Sequence, residues 1–497
     1  MRSPIPILLS LTWLYQASAT SVQQVARCAL LAARFPDATL PQDNSTSSPY
    51  YTERTSFWSW TEWLEPTCVF LPNSTQQVSE AVIIFTDYDC PFAIRGGGHS
   101  AIRGAANIDD GIMVNMKRIR DLDFSPDNKT ITIGMGYTWA EVYEIVEPLG
   151  YMVPGGRFAG VGTGLALGAG VSYFANERGL TIDNVVNHRV VLANGTVMEA
   201  NEHTNNDLHW ALRGGSNNFG VVTHITLPAI PHQGMHGGRV TYPPNTVDAL
   251  TNLTYEYQVR TSVEAPDTHV LSTYVYDGES NVTYGFTPVV YQRNATQMPP
   301  SLQPWLDIEH SNSTVRNRTY GDLARELVAG FPNGLVQTHY SLTVYPSLEY
   351  FRFLRERFSE FCAGFSHIEG FAGLHTLMAI TPAAIAKAGR NNPIGLNRAR
   401  PDTTLTVLYL GLQFNNEEDI DEVFPDWDIF IRTMEAEAKL QDVLFPYIML
   451  TYSDDNQEVI ASYGEENVSR LQAIQQKYDP SLVFQRLVTG GQKIPLR

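Results

Sequence analysis

The sequence predicts an α+β fold in two parts, a glycine-rich α/β region followed by an antiparallel sheet backed by helices. Three observations carry that expectation. A helix-to-strand unit runs into the triplet Gly96-Gly97-Gly98, and two more glycine clusters follow before residue 225. Around residue 230 the chain turns rich in proline and glycine, and beyond it strand-like runs alternate with helical patterns to about residue 440. With 497 residues and 43% apolar content, the chain is long enough to fill cores in two or three domains.

In chain order, residues 1–19 read as a secretory signal: Arg2 supplies the charge, Ile5 to Leu14 is largely apolar, and Ala17-Ser18-Ala19 is a cleavage site. The mature chain is expected to start near Thr20 and to be secreted. That apolar stretch is too short to span a bilayer, and nothing later approaches about 18 uninterrupted apolar residues, so no membrane span is expected. Ten Asn-x-Ser/Thr sequons, at Asn44, Asn73, Asn128, Asn194, Asn252, Asn281, Asn294, Asn312, Asn317 and Asn467, predict N-linked glycans. Cys28, Cys68, Cys90 and Cys362 fit an oxidising compartment. Their spacing favours Cys28 with Cys68 or Cys90 over a bond to Cys362, and leaves the connectivity open. A net charge of −18 argues against nucleic acid as a partner.

Val22 to Phe35 has helical periodicity, and residues 37–56 read as a polar surface segment without function. Ser74-x-x-Gln77 resembles a capping box for a helix carrying Val78, Ala81, Val82 and Phe85, which leads into a strand at Phe92 to Arg95. The loop Arg95-Gly96-Gly97-Gly98-His99-Ser100 follows. Its glycines can turn successive backbone N–H groups toward one point, making an anion site suited to a pyrophosphate; Arg95 adds charge and His99 can face whatever the loop cradles. Ile112 to Val114 and Thr130 to Ile133 read as strands, and Thr138-x-x-Glu141 caps a helix ending at Gly150.

The second cluster spans Gly155 to Gly170 and the third runs from Arg213 to Thr223. Neither forms a dinucleotide-binding G-x-G-x-x-G with its acidic partner. Pro228, Pro231, Gly234, Gly237, Gly238 and Pro243-Pro244 mark a boundary. Beyond it, strands are expected at Val270 to Tyr276, Tyr284 to Tyr291, Leu335 to Val344, Leu374 to Ile380 and Thr404 to Leu412, with helices at Leu323 to Val328, Leu348 to Phe361 and Ile420 to Leu440. A closing segment ends in a helix at Asn467 to Lys477 and the run Tyr478-Asp479-Pro480. No metal site is expected: His232-x-x-x-His236 sits among glycine and proline rather than on a helix. Nucleophile-elbow, HExxH and P-loop patterns do not occur.

Taken together, Pro66-x-Cys68-Val69-x-x-Pro72, Arg95 to Ser100, Gly162-Thr163-Gly164, Gly168-Ala169-Gly170, Gly179 to Val185, Arg213 to Gly220 and Tyr478-Asp479-Pro480 resemble the FAD-linked oxidoreductases of the vanillyl-alcohol oxidase type. The branch they resemble is berberine-bridge-enzyme-like, in the style of fungal secondary metabolism. The resemblance implies a two-lobed PCMH-type FAD-binding domain at 20–232, with its core at about 62–230. It also implies a substrate domain at 233–440 and a C-terminal segment, 441–497, that completes the FAD domain.

FAD would be held by Arg95, Gly96, Gly97, Gly98, His99, Ser100, Val161, Gly162, Thr163, Gly164, Gly168, Asp183, Val185, Gly220 and Val222. His99 would bond covalently to the isoalloxazine 8α-methyl. Relatives with a second flavin link have a Cys where this chain has Phe158, so a single link is expected. Val161 matches the position associated with oxygen reactivity, and Thr451-Tyr452 replaces the more usual Asn-Tyr.

The expected reaction is hydride transfer from a small organic substrate, a secondary metabolite, to FAD, with O2 as acceptor giving H2O2. Tyr452 is the candidate base by position, and equally a core tyrosine; His375 and Tyr409 are candidate pocket residues. The alternatives are a carbohydrate oxidase, or a redox-neutral cyclase or binding flavoprotein in which FAD is structural.

Overall fold

A computed structural model describes residues 25–388 and 392–496. The signal segment, 1–19, lies outside the described residues. Helix 25–34 packs Leu31 inward, with Phe35 buried just past its end, and is tied to the first lobe by a Cys28–Cys68 disulfide. Cys90 and Cys362 are free and buried. Nine of the ten sequon asparagines are exposed, Asn467 being half-buried.

The first lobe is a four-stranded sheet in the order Thr39–Pro41, Cys68–Phe70, Ile112–Asn115, Phe92–Arg95, the last three strands mutually parallel. Helix Thr75–Asp87 covers it with Val78, Ala81, Val82 and Phe85, the apolar stripe read from the sequence. Ser74 caps this helix by accepting from the Gln77 N–H, while the Gln77 side chain accepts from Asn73 rather than from Ser74.

The second lobe is a five-stranded antiparallel sheet, ordered Leu122–Phe124, Thr130–Gly134, Val221–Pro228, Asn187–Val191, Val197–Asn201. Its helix Trp139–Val146 starts with the Thr138/Glu141 capping box, and Asn194-Gly195 forms the tight turn between its last two strands.

Strand Met235–Tyr242 starts a large antiparallel sheet that also takes Ser272–Asp277, Val282–Tyr291, Val336–Val344, Ala372–Ile380 and Leu405–Phe414. Helices Val247–Glu256, Leu348–Ala363 and Ile420–Leu440 pack on one face of it around Phe358, Trp427 and Phe430. Its other face looks back at the two lobes.

Met235–Tyr242 occupies the stretch that reads in sequence as a boundary. Gly237 and Gly238 sit there because a neighbouring backbone crosses tightly on each side: a Cβ at either would fall 2.5 Å from Val289 O or Thr314 C.

The C-terminal segment touches all three sheets. Tyr345 N donates to Val443 O and Met449 N to the Ser341 hydroxyl on the large sheet. Further on, Phe92 N donates to Leu487 O, and Asn218 Nδ2 to Gln492 O. Asp479 is buried and accepts from Val483 N and Phe484 N, capping the last helical turn. Among the described residues no helix is long and apolar enough to cross a membrane.

Candidate active site

The first two glycine loops interlock where the lobes meet. A methyl on Gly97 would fall 2.5 Å from Gly162 N and 2.6 Å from its Cα, so the backbones touch with no room for a side chain. Above this contact lies a cavity of about 330 Å³. Gly96, Gly97, His99 and Ser100 line it from the first loop, and Val161, Gly162, Gly164 and Gly168 from the second. The open face of the large sheet contributes His339, Leu374, Thr376, Met378 and Tyr409, and the Leu450–Tyr452 turn closes one side.

His99 is held by stacking on Trp58, with ring centroids 4.7 Å apart and planes 11° from parallel. Burial pushes its pKa down to about 4, so the imidazole is neutral, and its Nε2 has no hydrogen-bond partner. A neutral ring nitrogen with a free lone pair, fixed in orientation, is what alkylation by an electrophilic methyl requires. Trp58 meets His339 edge-on at 5.9 Å. His339 is buried with neither ring nitrogen bonded, and its pKa is pushed down to about 3 by burial and by His99.

Arg157, from the second glycine cluster, is 4% exposed. Its guanidinium donates to His269 Nε2 at 2.9 Å, Met378 Sδ at 3.0 Å and Tyr452 Oη at 2.7 Å. Tyr452 packs edge-on against Tyr409 at 5.3 Å, and burial raises the pKa of Tyr409.

The structure thus gathers His99, the loop glycines, Val161 and Tyr452 in one place, and separates others from it. Arg95 does not face the cavity. Its guanidinium donates to Glu53 O, Ser56 O and Ser56 Oγ and lies 4.0 Å over the Phe57 ring, so its charge anchors the loop instead of meeting a phosphate. Those carbonyls belong to helix Pro49–Thr55 and its cap, which makes 37–56 a structural support for the site and not an idle surface segment.

Gly98, at φ 69°, packs under Arg95. Thr163 is buried below the loop, its N–H on Tyr137 O. Asp183 accepts from Leu180 N and Asn392 Nδ2, and its burial raises its pKa to about 6; with Val185, Gly220 and Val222 it lies within the second lobe, off the cavity wall. His232 packs against Phe174 and Tyr320, and His236 bonds Asn317.

Tyr409 lines the cavity, and His375 does not. It points to the helical side of the sheet, stacked on Tyr274 at 4.8 Å, with neither ring nitrogen bonded. Burial, then the charge of Arg355, holds its pKa down to about 3. The unfolded imidazole takes up its proton near pH 6.5, so the unfolded chain binds more protons between the two values, and stability present above the window is lost as pH falls through it. Relative to wild type, His375→Leu is expected to gain about 2 kcal/mol on going from about pH 7.5 to about pH 5, read by denaturant unfolding at both. A difference independent of pH would show the folded imidazole to titrate as it does in the unfolded chain.

Among the wall residues that went unread in the sequence are Trp58, Arg157, His339 and Met378. Only Arg157 carried a signal, as the one charged residue in the cluster 155–170.

The residues fit FAD. Gly164 lines the cavity and has no atom within 4 Å of where its Cβ would stand, so a ligand can lie against its backbone; the orphaned His99 Nε2 is beside it in the same wall. Fold and site define a flavin-dependent oxidoreductase. The FAD binding domain family matches residues 66–201.

The chain is 31% identical over 467 residues to the FAD-dependent monooxygenase drtC of Aspergillus calidoustus, covering 90% of this chain and 86% of that one. In structure it is similar to 6-hydroxy-D-nicotine oxidase of Arthrobacter nicotinovorans, with TM-score 0.75 and 21% identity over 92% of this chain and 98% of that one. It is also similar to berberine bridge enzyme, with TM-score 0.76 and 17% identity over 95% and 100% of the two chains. The chain belongs to the FAD-dependent oxidoreductase family of the fungal monooxygenase, and its fold is that of the berberine-bridge-enzyme-like oxidases.

Proposed function

We propose that this protein is a secreted, N-glycosylated oxidase that removes hydride from a C–H bond of a small secondary metabolite, with FAD bonded covalently through His99. The observation that carries the reading is the neutral, unpartnered His99 Nε2 in the wall of a cavity shared by both glycine loops and by Tyr452. When bound, FAD supplies two-electron oxidation and returns the electrons to O2 as H2O2. Gly96, Gly97, Ser100, Gly162 and Gly164 would hold it with backbone groups, and Val161 lines the same cavity beside Gly162, at the position that the resemblance associates with oxygen reactivity.

Tyr452, whose Oη the Arg157 guanidinium orients at 2.7 Å, meets the substrate's acidic group with its hydroxyl. Phe158, Phe286, Phe331, Leu374 and Met378 give the cavity a largely apolar wall, which favours a metabolite over a sugar. Exposure of the sequon asparagines and a Cys28–Cys68 bond support passage through the secretory pathway.

The test is anaerobic bleaching of the purified yellow protein by candidate metabolites, followed by air. Stoichiometric H2O2 with oxidised product is the expected result. Incorporation of labelled oxygen into product would make it a monooxygenase, the name its relative carries, and conversion without bleaching a redox-neutral cyclase.

A further inference from the structure

The cavity wall contains no Asp, Glu or Lys, and Arg157 is the one permanently charged side chain among its described residues. This is unusual placement in a chain with 52 acidic residues. None of the groups that Arg157 reaches carries negative charge. His269 has to accept from Arg157 through Nε2 and is kept neutral, Met378 offers a thioether sulfur, and Tyr452 offers a phenol oxygen. A guanidinium 4% exposed with no carboxylate partner has paid for desolvation without the compensating ion pair.

Of the other buried arginines, Arg318 pairs with Asp322 and Glu326 and Arg355 with Asp248, while Arg95 donates to backbone carbonyls and Arg27 has no ion pair among the described residues. Arg157 alone of these opens on the active-site cavity, so its counter-charge is one that arrives.

We propose that Arg157 binds an acidic oxygen of the substrate, and that the substrate class is therefore a largely apolar acid, a carboxylate or an ionised enol or phenol. The proposal deepens the oxidase reading and rests on it. Geometry supports a two-point grip. Tyr452 Oη accepts from the guanidinium, which leaves its own O–H free to donate, so an oxygen placed against Arg157 also meets that hydroxyl. The apolar body of such a molecule would lie on Phe158, Phe286 and Phe331, and His339, buried and unbonded at both ring nitrogens, offers a second polar contact in the same cavity.

The test compares acids with their uncharged amides on the flavin-loaded protein. Benzoate, cinnamate and decanoate, each against its amide, are titrated while the flavin absorbance is followed. The best acid is expected to bind at least about tenfold more tightly than its amide. Arg157→Gln abolishes that preference; Arg157→Lys, which keeps the charge but not the fork, retains part of it and covers the case in which Arg157→Gln does not fold.

Equal binding of every acid and its amide in wild type overturns the proposal, as does a preference that survives in Arg157→Gln. Sulfite titration of the same proteins separates one rival: loss of sulfite reactivity in Arg157→Gln, with the acid preference intact, assigns the charge to the flavin instead and overturns it too. Failure of the oxidase reading looks different, since it shows in the bleaching and H2O2 assay and leaves the acid-against-amide comparison readable.

Discussion

Replacing His99 with alanine is expected to turn the acid-precipitated pellet from yellow to colourless, taking covalent flavin from the whole population to none. Wild-type pellet dissolved in denaturant should keep the flavin band near ~450 nm, and the variant should leave it in the supernatant. The expectation follows from elimination as well as from His99 itself. Stacking on Trp58 fixes the ring, and burial keeps its free nitrogen unprotonated. Among the described residues no thiol lines the cavity to replace it, and His339, the other imidazole of the wall, stands on the large sheet across Trp58 from the glycine loop. Phe158 stands where a thiol would be needed and packs its ring 6.1 Å from Phe331. Cys90 is buried in the first lobe, its thiol pushed up to about 11 by desolvation, and Cys362 lies under the helices of the large sheet. A yellow pellet from His99→Ala would refute the assignment. A wild-type pellet without colour would refute the covalent link altogether.

The local parts of this fold were legible because local rules govern them. Ser74 and Thr138 announce their helices, and the apolar stripe of Ile420–Leu440 sets the bounds of that helix at the residues expected. What was not legible depends on neighbours distant in sequence. Met235–Tyr242 looks like a linker because its glycines answer to Val289 and Thr314, and neither is visible locally.

The same limit explains Arg95, whose charge was read as facing a ligand when carbonyls about forty positions earlier consume it. His375 and Tyr409 show it most simply. Thr376 pairs with Tyr409 and His375 with Leu410, so the two candidates occupy opposite faces of one sheet. Both faces of that sheet are buried, one under helices and one over the cavity, so alternation in the sequence cannot say which face holds the substrate.

Gly97→Ala is the second large effect, expected to destabilise the protein by about 3 kcal/mol or more and to empty it of flavin. The added methyl meets Gly162 N at 2.5 Å, Gly162 Cα at 2.6 Å and Gly160 O at 3.1 Å. All three are backbone atoms, so no rotamer change relieves the clash, and the loops have to part. Parting them moves Gly160, which flanks the His99 ring, and withdraws Gly162 from the cradle.

Gly164→Ala separates the two consequences. Its Cβ has no neighbour within 4 Å, so flavin-free protein should keep its stability within about 0.5 kcal/mol, while the methyl intrudes where the cofactor lies and lowers loading. Thermal unfolding and flavin content of both variants decide the matter. If Gly97→Ala unfolds with wild type and stays yellow, the loops do not interlock as described; if Gly164→Ala also loads flavin fully, the second loop does not cradle it.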